Sequence, residues 1–196
     1  MLFRSELAQE YACRIRQLGA KREAFETIIA SGPHASLPHA KPTNRCLRKG
    51  ELVTIDCGVI LDGYCSDMTR TVAVGRPSDE DRQLYYRVLE SQKRAFALIR
   101  PGERCSRVDQ AARALLEEYY PERFPHNLGH SLGLGSHENP RFRPGDETRL
   151  LPGMVLSVEP GVYLPEQTGV RIEDVVAVTE AGFQNLTHFT KELLEL

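Results

Sequence analysis

The sequence predicts an α+β domain in which an antiparallel strand pair occurs twice and is flanked by helices. Three observations carry this: a repeated strand–turn–strand pattern, amphipathic helices between the two copies, and an interior without low-complexity linker. At 196 residues the chain suits one core and is short for two, so residues 1–196 read as a single domain.

The elements follow in order. Ser5 is placed to cap a helix over residues 5–18, with Leu7, Tyr11, Ile15 and Leu18 on one face and Gly19 as its stop. Residues 24–30 read as a strand, and residues 32–42 as a Pro/His-rich loop. Residues 52–61 and 64–74 read as two strands joined by Asp62-Gly63, the dipeptide a tight hairpin turn prefers. Ser78 opens a long helix whose acidic first turn suits the helix dipole. Its apolar stripe runs Leu84, Tyr85, Val88, Leu89, Ala95, Phe96 and Ile99 until Pro101-Gly102. Ser106 is the expected cap of another helix carrying Val108, Ala111, Ala112 and Leu115. A Gly/His-rich loop spans residues 126–137, and residues 155–163 and 170–178 read as two further strands.

The repeat is visible on alignment. Residues 47–58 (LRKGELVTIDCG) match residues 150–161 (LLPGMVLSVEPG). Leu47/Leu150, Gly50/Gly153 and Gly58/Gly161 are identical, while Thr54/Ser157, Ile55/Val158 and Asp56/Glu159 agree in kind. In the following strands Gly63 precedes Asp67 by four residues, as Gly169 precedes Glu173. Each half therefore offers a strand pair with one acid per strand, an arrangement with pseudo-two-fold symmetry.

A two-residue loop at Asp62-Gly63 sets Leu61 across from Tyr64 and Asp56 across from Thr69. Asp67 then lies two positions away on the same sheet face, a diagonal neighbour roughly 7–8 Å off. Asp56 ends an apolar stretch, Leu52 to Ile55, where a lone carboxylate is costly to desolvate. Two like charges about 4 Å apart also repel by roughly 4 kcal/mol at an effective dielectric of 20. Four such acids stay ionised together only around cations; the alternative is pairing with Arg70 and Arg171, or exposure on edge strands.

A second signal is His126-Asn-Leu-Gly-His130-Ser-Leu-Gly133, followed by His137-Glu138. The segment lacks the Glu of the helical H-E-x-x-H zinc motif, and no cysteine cluster suggests structural zinc. No G-x-S-x-G elbow supports serine hydrolysis, and no Lys-Ser/Thr ending makes the glycines a phosphate loop.

Composition narrows the classes further. Hydrophobic residues make up 41% and charged residues 27%, with a formal net charge of −2, which offers nucleic-acid phosphates no basic face. No apolar run reaches the roughly 18–20 residues of a membrane span. Five cysteines, odd in number and without a C-x-x-C pair, read as the reduced thiols of a cytoplasmic protein.

The motifs together resemble the pita-bread metallopeptidases, specifically the Xaa-Pro branch of prolidase and aminopeptidase P. The resemblance runs from about Ser5 to Leu193. It rests on Thr54-Ile-Asp56-Cys-Gly58, Asp62-Gly-Tyr-Cys-Ser-Asp67-Met-Thr-Arg-Thr71, His126-x-x-Gly-His130-x-x-Gly133, His137-Glu138-x-Pro140, Val158-Glu159-Pro-Gly-Val-Tyr163 and Val170-Arg-Ile-Glu173-Asp174. It implies a pita-bread fold and two divalent ions held by Asp56, Asp67, His130, Glu159 and Glu173, with Asp67 and Glu173 bridging. Four carboxylates and one imidazole suit Mn²⁺, with Co²⁺, Zn²⁺ or Fe²⁺ as alternatives. It further implies hydrolysis of the bond before proline in dipeptides or peptide N-termini. Glu159 would shuttle the proton of the attacking water, and His137 would donate to the oxyanion. His39, in Ser36-Leu-Pro-His39, would line the specificity side with His126, Tyr163 and Arg171.

Other readings are methionine aminopeptidase and a non-catalytic module of the same fold that binds peptides or proteins. Relatives of the Xaa-Pro branch carry an N-terminal domain and a first catalytic-domain helix upstream of the position of Ser5. A shortened start of this kind leads one to expect uncovered apolar surface, lower stability or self-association, including a homodimer.

Overall fold

Each copy of the repeat folds as a long two-stranded ribbon broken once at its middle. The computed structural model describes residues 2–196. It opens with α1 (Arg4–Gln17), then β1 (Arg22–Glu23), β2 (Ile28–Ser31) and a 3-10 turn, Gly32–Ser36. The first ribbon comprises β3 (Leu52–Cys57), β4 (Val59–Leu61), β5 (Tyr64–Cys65) and β6 (Met68–Ala73). Two helices follow, α2 (Asp79–Phe96) and α3 (Cys105–Tyr119), and then β7 (Gly129–Ser131) and β8 (Glu138–Phe142). The second ribbon is β9 (Val155–Val158), β10 (Gly161–Leu164), β11 (Thr168–Arg171) and β12 (Asp174–Thr179), closed by β13 (Gly182–Asn185).

The first hairpin keeps the register its turn demands. Asp62 and Gly63 both adopt positive φ, 50° and 89°, as a type I′ turn requires. Leu61 pairs with Tyr64 and Asp56 with Thr69. The expected single strands are nonetheless divided. At the first break Ser66 N donates to the Val59 carbonyl (2.9 Å) and Val59 N to the Ser66 hydroxyl (3.0 Å). The second ribbon breaks around Pro160, which has no amide hydrogen for a ladder. The acids sit at these breaks: Asp56 near the end of β3, Glu159 just after β9, and Asp67 and Glu173 just before β6 and β12.

The two ribbons differ in one respect that the repeat does not announce. The pairs Val158–Asp174 and Gly161–Arg171 share a register that sets Glu159 directly across from Glu173. Asp56 and Asp67 are instead offset by two positions.

Several local expectations are corrected. The N-cap of α1 is Phe3, whose amide donates to Glu6 Oε2 at 2.9 Å, while the Ser5 hydroxyl donates to Asn44 instead. Leu18 becomes the C-cap and is 84% exposed, so it leaves the buried face. Residues 24–27 lie outside any strand, separating β1 from β2. Ser78 does cap α2, accepting from Asp81 N at 3.0 Å. The α3 cap is Arg104, because the Ser106 hydroxyl is drawn to Glu147 Oε1 (3.1 Å). The loop expected over residues 126–137 contains β7, which joins the sheet β13-β12-β9-β7-β8.

One core joins Tyr85, Val88, Val108, Ala112 and Leu116 of the helices to Phe142, Leu156, Val158, Val162 and Ile172. A smaller cluster of Ile29, Val53 and Val72 is covered by Leu7 and Ala8 of α1. Burial of these side chains, at roughly 25 cal/mol per Å² of apolar area, holds the ribbons in place. No helix among the described residues is long and apolar enough to cross a membrane.

Candidate metal centre

The breaks in the two ribbons face one another across a cavity of about 430 Å³. Asp56, Asp67, His130, Glu159 and Glu173 all line it, together with His39, His126, His137 and Arg171. Ligand atoms of Asp67, His130 and Glu173 lie within 4.8 Å of one another, and all three residues are buried. Glu159 Oε1 is 3.2 Å from His130 Nε2, and Asp67 Oδ2 is 3.8 Å from the same nitrogen.

β7 carries His130 into this space because of Gly129. A Cβ there would lie 2.0 Å from the Ser157 carbonyl oxygen, so only glycine lets β7 approach β9 so closely. The His130 amide then donates to the Ser157 hydroxyl (3.0 Å), which in turn donates to Glu159 Oε1 (3.1 Å). His130 Nδ1 lies 3.1 Å from the Ser131 carbonyl, an acceptor that places the proton on Nδ1 and turns Nε2 to the cavity.

Arg171 ties the halves together. Its Nη2 donates to Asp56 Oδ2 (2.6 Å), Nε to the Thr69 hydroxyl (3.3 Å), and Nη1 to the Pro38 carbonyl and the Tyr163 hydroxyl (3.2 and 2.7 Å). The Asp56–Arg171 pairing weighed from the sequence is therefore real, whereas Arg70 pairs with Asp174 rather than with any of the four acids. Even so, Asp56 Oδ1 and Glu173 Oε1 are buried without a hydrogen-bond partner among the described residues. One arginine does not satisfy four carboxylates.

The titration behaviour says the same. Burial, then the Asp56 and Glu159 charges, pushes Asp67 up to about 9. Burial and the neighbouring acids raise Glu173 well above the usual carboxylate range. Burial also raises Asp56, although Arg171 opposes it. Burial works against the Glu159 charge too, but the His130 bond and the nearby His126 and Arg171 hold that carboxyl below its ordinary range.

One substrate-side expectation changes. Tyr163 does not line the cavity; it is buried behind the wall. Its hydroxyl, already accepting from Arg171, donates to His126 Nε2 (2.8 Å). His126 Nδ1 is taken by the Asn127 carbonyl (2.8 Å), so both ring nitrogens are engaged. Burial lowers the His126 pKa, in keeping with a neutral ring. His39 and His137 are exposed at the cavity, and the His137 ring centroid lies 4.2 Å from that of His130.

Sequence reasoning missed Thr69, whose hydroxyl donates to Glu173 Oε2 (2.7 Å), and Arg141, whose side chain reaches the cavity. Arg141 has no acidic partner among the described residues, unlike Lys41, which pairs with Glu26, and Arg171. Nothing local marks Arg141 among 25 basic residues.

Residues 3–180 match the model of metallopeptidase family M24. The chain belongs to that family. It is 45% identical over 190 residues to an Xaa-Pro dipeptidase of Pyrococcus furiosus, an alignment covering 96% of this chain and 55% of that protein. An Xaa-Pro dipeptidase structure from Bacillus anthracis superposes with a TM-score of 0.97 at 40% identity, covering 100% of this chain and 55% of that one. The X-Pro aminopeptidase of Thermotoga maritima gives 0.97 at 36% identity, covering 100% and 56%. The chain thus spans about half the length of these relatives, and its fold is the pita-bread fold they share.

The donor set fits the divalent ions that a metallopeptidase of this family requires. Buried acids with raised pKa values, two carboxylate oxygens without partners among the described residues, and an imidazole whose Nε2 faces Glu159 in the cavity are a ligand shell rather than an apolar core.

Proposed function

We propose that this chain is the catalytic part of a peptidase that hydrolyses the bond preceding proline in short peptides. Two divalent ions would be held by Asp56, Asp67, His130, Glu159 and Glu173. The supporting observation is the convergence of Asp67, His130 and Glu173 within 4.8 Å, beside the bare oxygens of Asp56 and Glu173. An oxygen-rich set suits Mn²⁺, and Co²⁺, Zn²⁺ and Fe²⁺ are the alternatives a metal screen distinguishes. When bound, such ions supply an activated water and polarise the peptide carbonyl.

The side chains do the rest. Glu159, beside His130 and held ionised, is poised to take a proton from water and deliver it to the leaving amine nitrogen of proline. His137, whose pKa burial and the nearby His130 lower, is neutral at pH 7 and offers a ring N–H to the developing oxyanion. The His39 loop is anchored by the bond from Arg171 to the Pro38 carbonyl, which closes the cavity on the substrate side. Arg141, without an acidic partner among the described residues, suits the free carboxylate of a dipeptide. That feature supports dipeptides over longer chains, in line with relatives named Xaa-Pro dipeptidases. Five free cysteines support a reducing, cytoplasmic setting.

The deciding assay is hydrolysis of Ala-Pro, Met-Pro and Met-Ala in the presence of Mn²⁺, with Asp67→Ala as control. Cleavage of the two proline dipeptides that is lost in the control is expected. Cleavage of Met-Ala alone would remove the proline assignment and favour a methionine aminopeptidase.

A further inference from the structure

Thr69 sits at the crossing of the two ribbons and is fully buried. It pairs with Asp56 across the β3–β6 ladder, and its carbonyl accepts from the Glu173 amide (3.0 Å) and from Arg70 Nη1 (2.9 Å). Its backbone therefore belongs to both halves. Its hydroxyl does too, lying 2.7 Å from Glu173 Oε2 and 3.3 Å from Arg171 Nε.

A hydroxyl has one hydrogen to give. A guanidinium only donates, and a carboxylate kept ionised by bound metal only accepts, so in the metal-bound centre one arrangement satisfies both neighbours. Thr69 accepts from Arg171 and donates to Glu173. Arg171, fixed by this contact, spends Nη2 on Asp56 Oδ2. As a result Glu173 and Asp56, one from each half, have one oxygen held by the protein and the other buried and bare. The β-branched side chain, with few accessible χ1 states in a strand, keeps the hydroxyl in place.

We infer that Thr69 is a positioning residue of the metal centre, its hydroxyl orienting the Glu173 carboxylate directly and the Asp56 carboxylate through Arg171. The inference rests on the dinuclear reading above and adds a residue that contacts neither metal nor substrate. Groups that orient a ligand carboxylate in this way commonly change metal affinity by roughly 10–100-fold when removed.

The test is calorimetric titration of metal-free protein with Mn²⁺, comparing wild type with Thr69→Val and Thr69→Ser after circular dichroism has established folding. Valine keeps the shape and removes the hydroxyl; serine keeps the hydroxyl and removes the methyl. Wild type and Thr69→Ser should each take two ions with similar affinities. Thr69→Val should bind one ion roughly 10–100-fold more weakly. Should Thr69→Val not fold, Thr69→Ala set against Thr69→Ser makes the same comparison. Two wild-type affinities in Thr69→Val, or equal weakening in Ser and Val, would overturn the role of the hydroxyl and leave the dinuclear reading intact. A wild type that takes up only one ion would overturn both.

Discussion

The guanidinium of Arg171 lies 2.6 Å from the carboxylate of Asp56, joining a strand of the second ribbon to a strand of the first. Both side chains are largely withdrawn from water, 4% and 13% exposed, so the contact is a charge pair in low dielectric rather than a surface bridge. The same guanidinium donates to Thr69, Pro38 and Tyr163, leaving it no idle nitrogen.

Lysine cannot reproduce this fork. Arg171→Lys keeps the charge and forfeits at least two of the bonds, so unfolding free energy should fall by about 2–4 kcal/mol in urea titrations. Misplacement of Asp56 should lower kcat/KM on Ala-Pro by roughly 10²-fold. Wild-type activity in Arg171→Lys would show that the fork does not set the position of Asp56.

The raised Asp67 pKa has a stability consequence. A carboxyl that titrates near 9 when folded and near 4 when unfolded binds a proton in the folded state that the unfolded chain has released. Its contribution is therefore present at low pH and lost as pH rises toward 9, at most about 1.4 kcal/mol per pH unit. Above pH 7 the lowered His126 and His137 no longer offset it, since their unfolded counterparts have also lost their protons. Metal-free protein should be less stable at pH 8.5 than at pH 7 in urea titrations, and Asp67→Asn should reduce that slope, with the raised Glu173 keeping part of it. Saturating Mn²⁺ should stabilise wild type at pH 8.5 and leave Asp67→Asn little changed. A metal-free wild type equally stable at both pH values would contradict the protonated Asp67.

Arg141 should act on binding more than on chemistry. With Arg141→Gln, KM for Ala-Pro should rise by roughly tenfold or more, the worth of one charged hydrogen bond to a carboxylate. For Ala-Pro amide, which has no carboxylate, wild type and variant should be alike. An equal loss on both substrates would place Arg141 elsewhere than at the substrate C-terminus.

Much of this site is legible from short-range chemistry. Asp62-Gly63 alone demands the turn that sets Asp56 across from Thr69, and the matched Gly–acid spacings point to Asp67 and Glu173. What escapes is whatever depends on contacts distant in sequence. The Thr69 hydroxyl meets Glu173 across 104 positions, and Arg171 meets Asp56 across 115. Tyr163 resembles a substrate residue by motif, yet packing turns its hydroxyl toward His126 and Arg171 behind the cavity wall. The breaks at Gly58 and Pro160 also escape periodicity, because apolar alternation continues through them while the ladder does not.

Anomalous diffraction from crystals grown with Mn²⁺ would address the metal centre most directly. Two peaks roughly 3.5–4 Å apart are expected, both within reach of Asp67 and Glu173, one also beside Asp56 and the other beside His130 and Glu159. A single peak, or none in this cavity while the protein cleaves Ala-Pro, would contradict the two-ion centre.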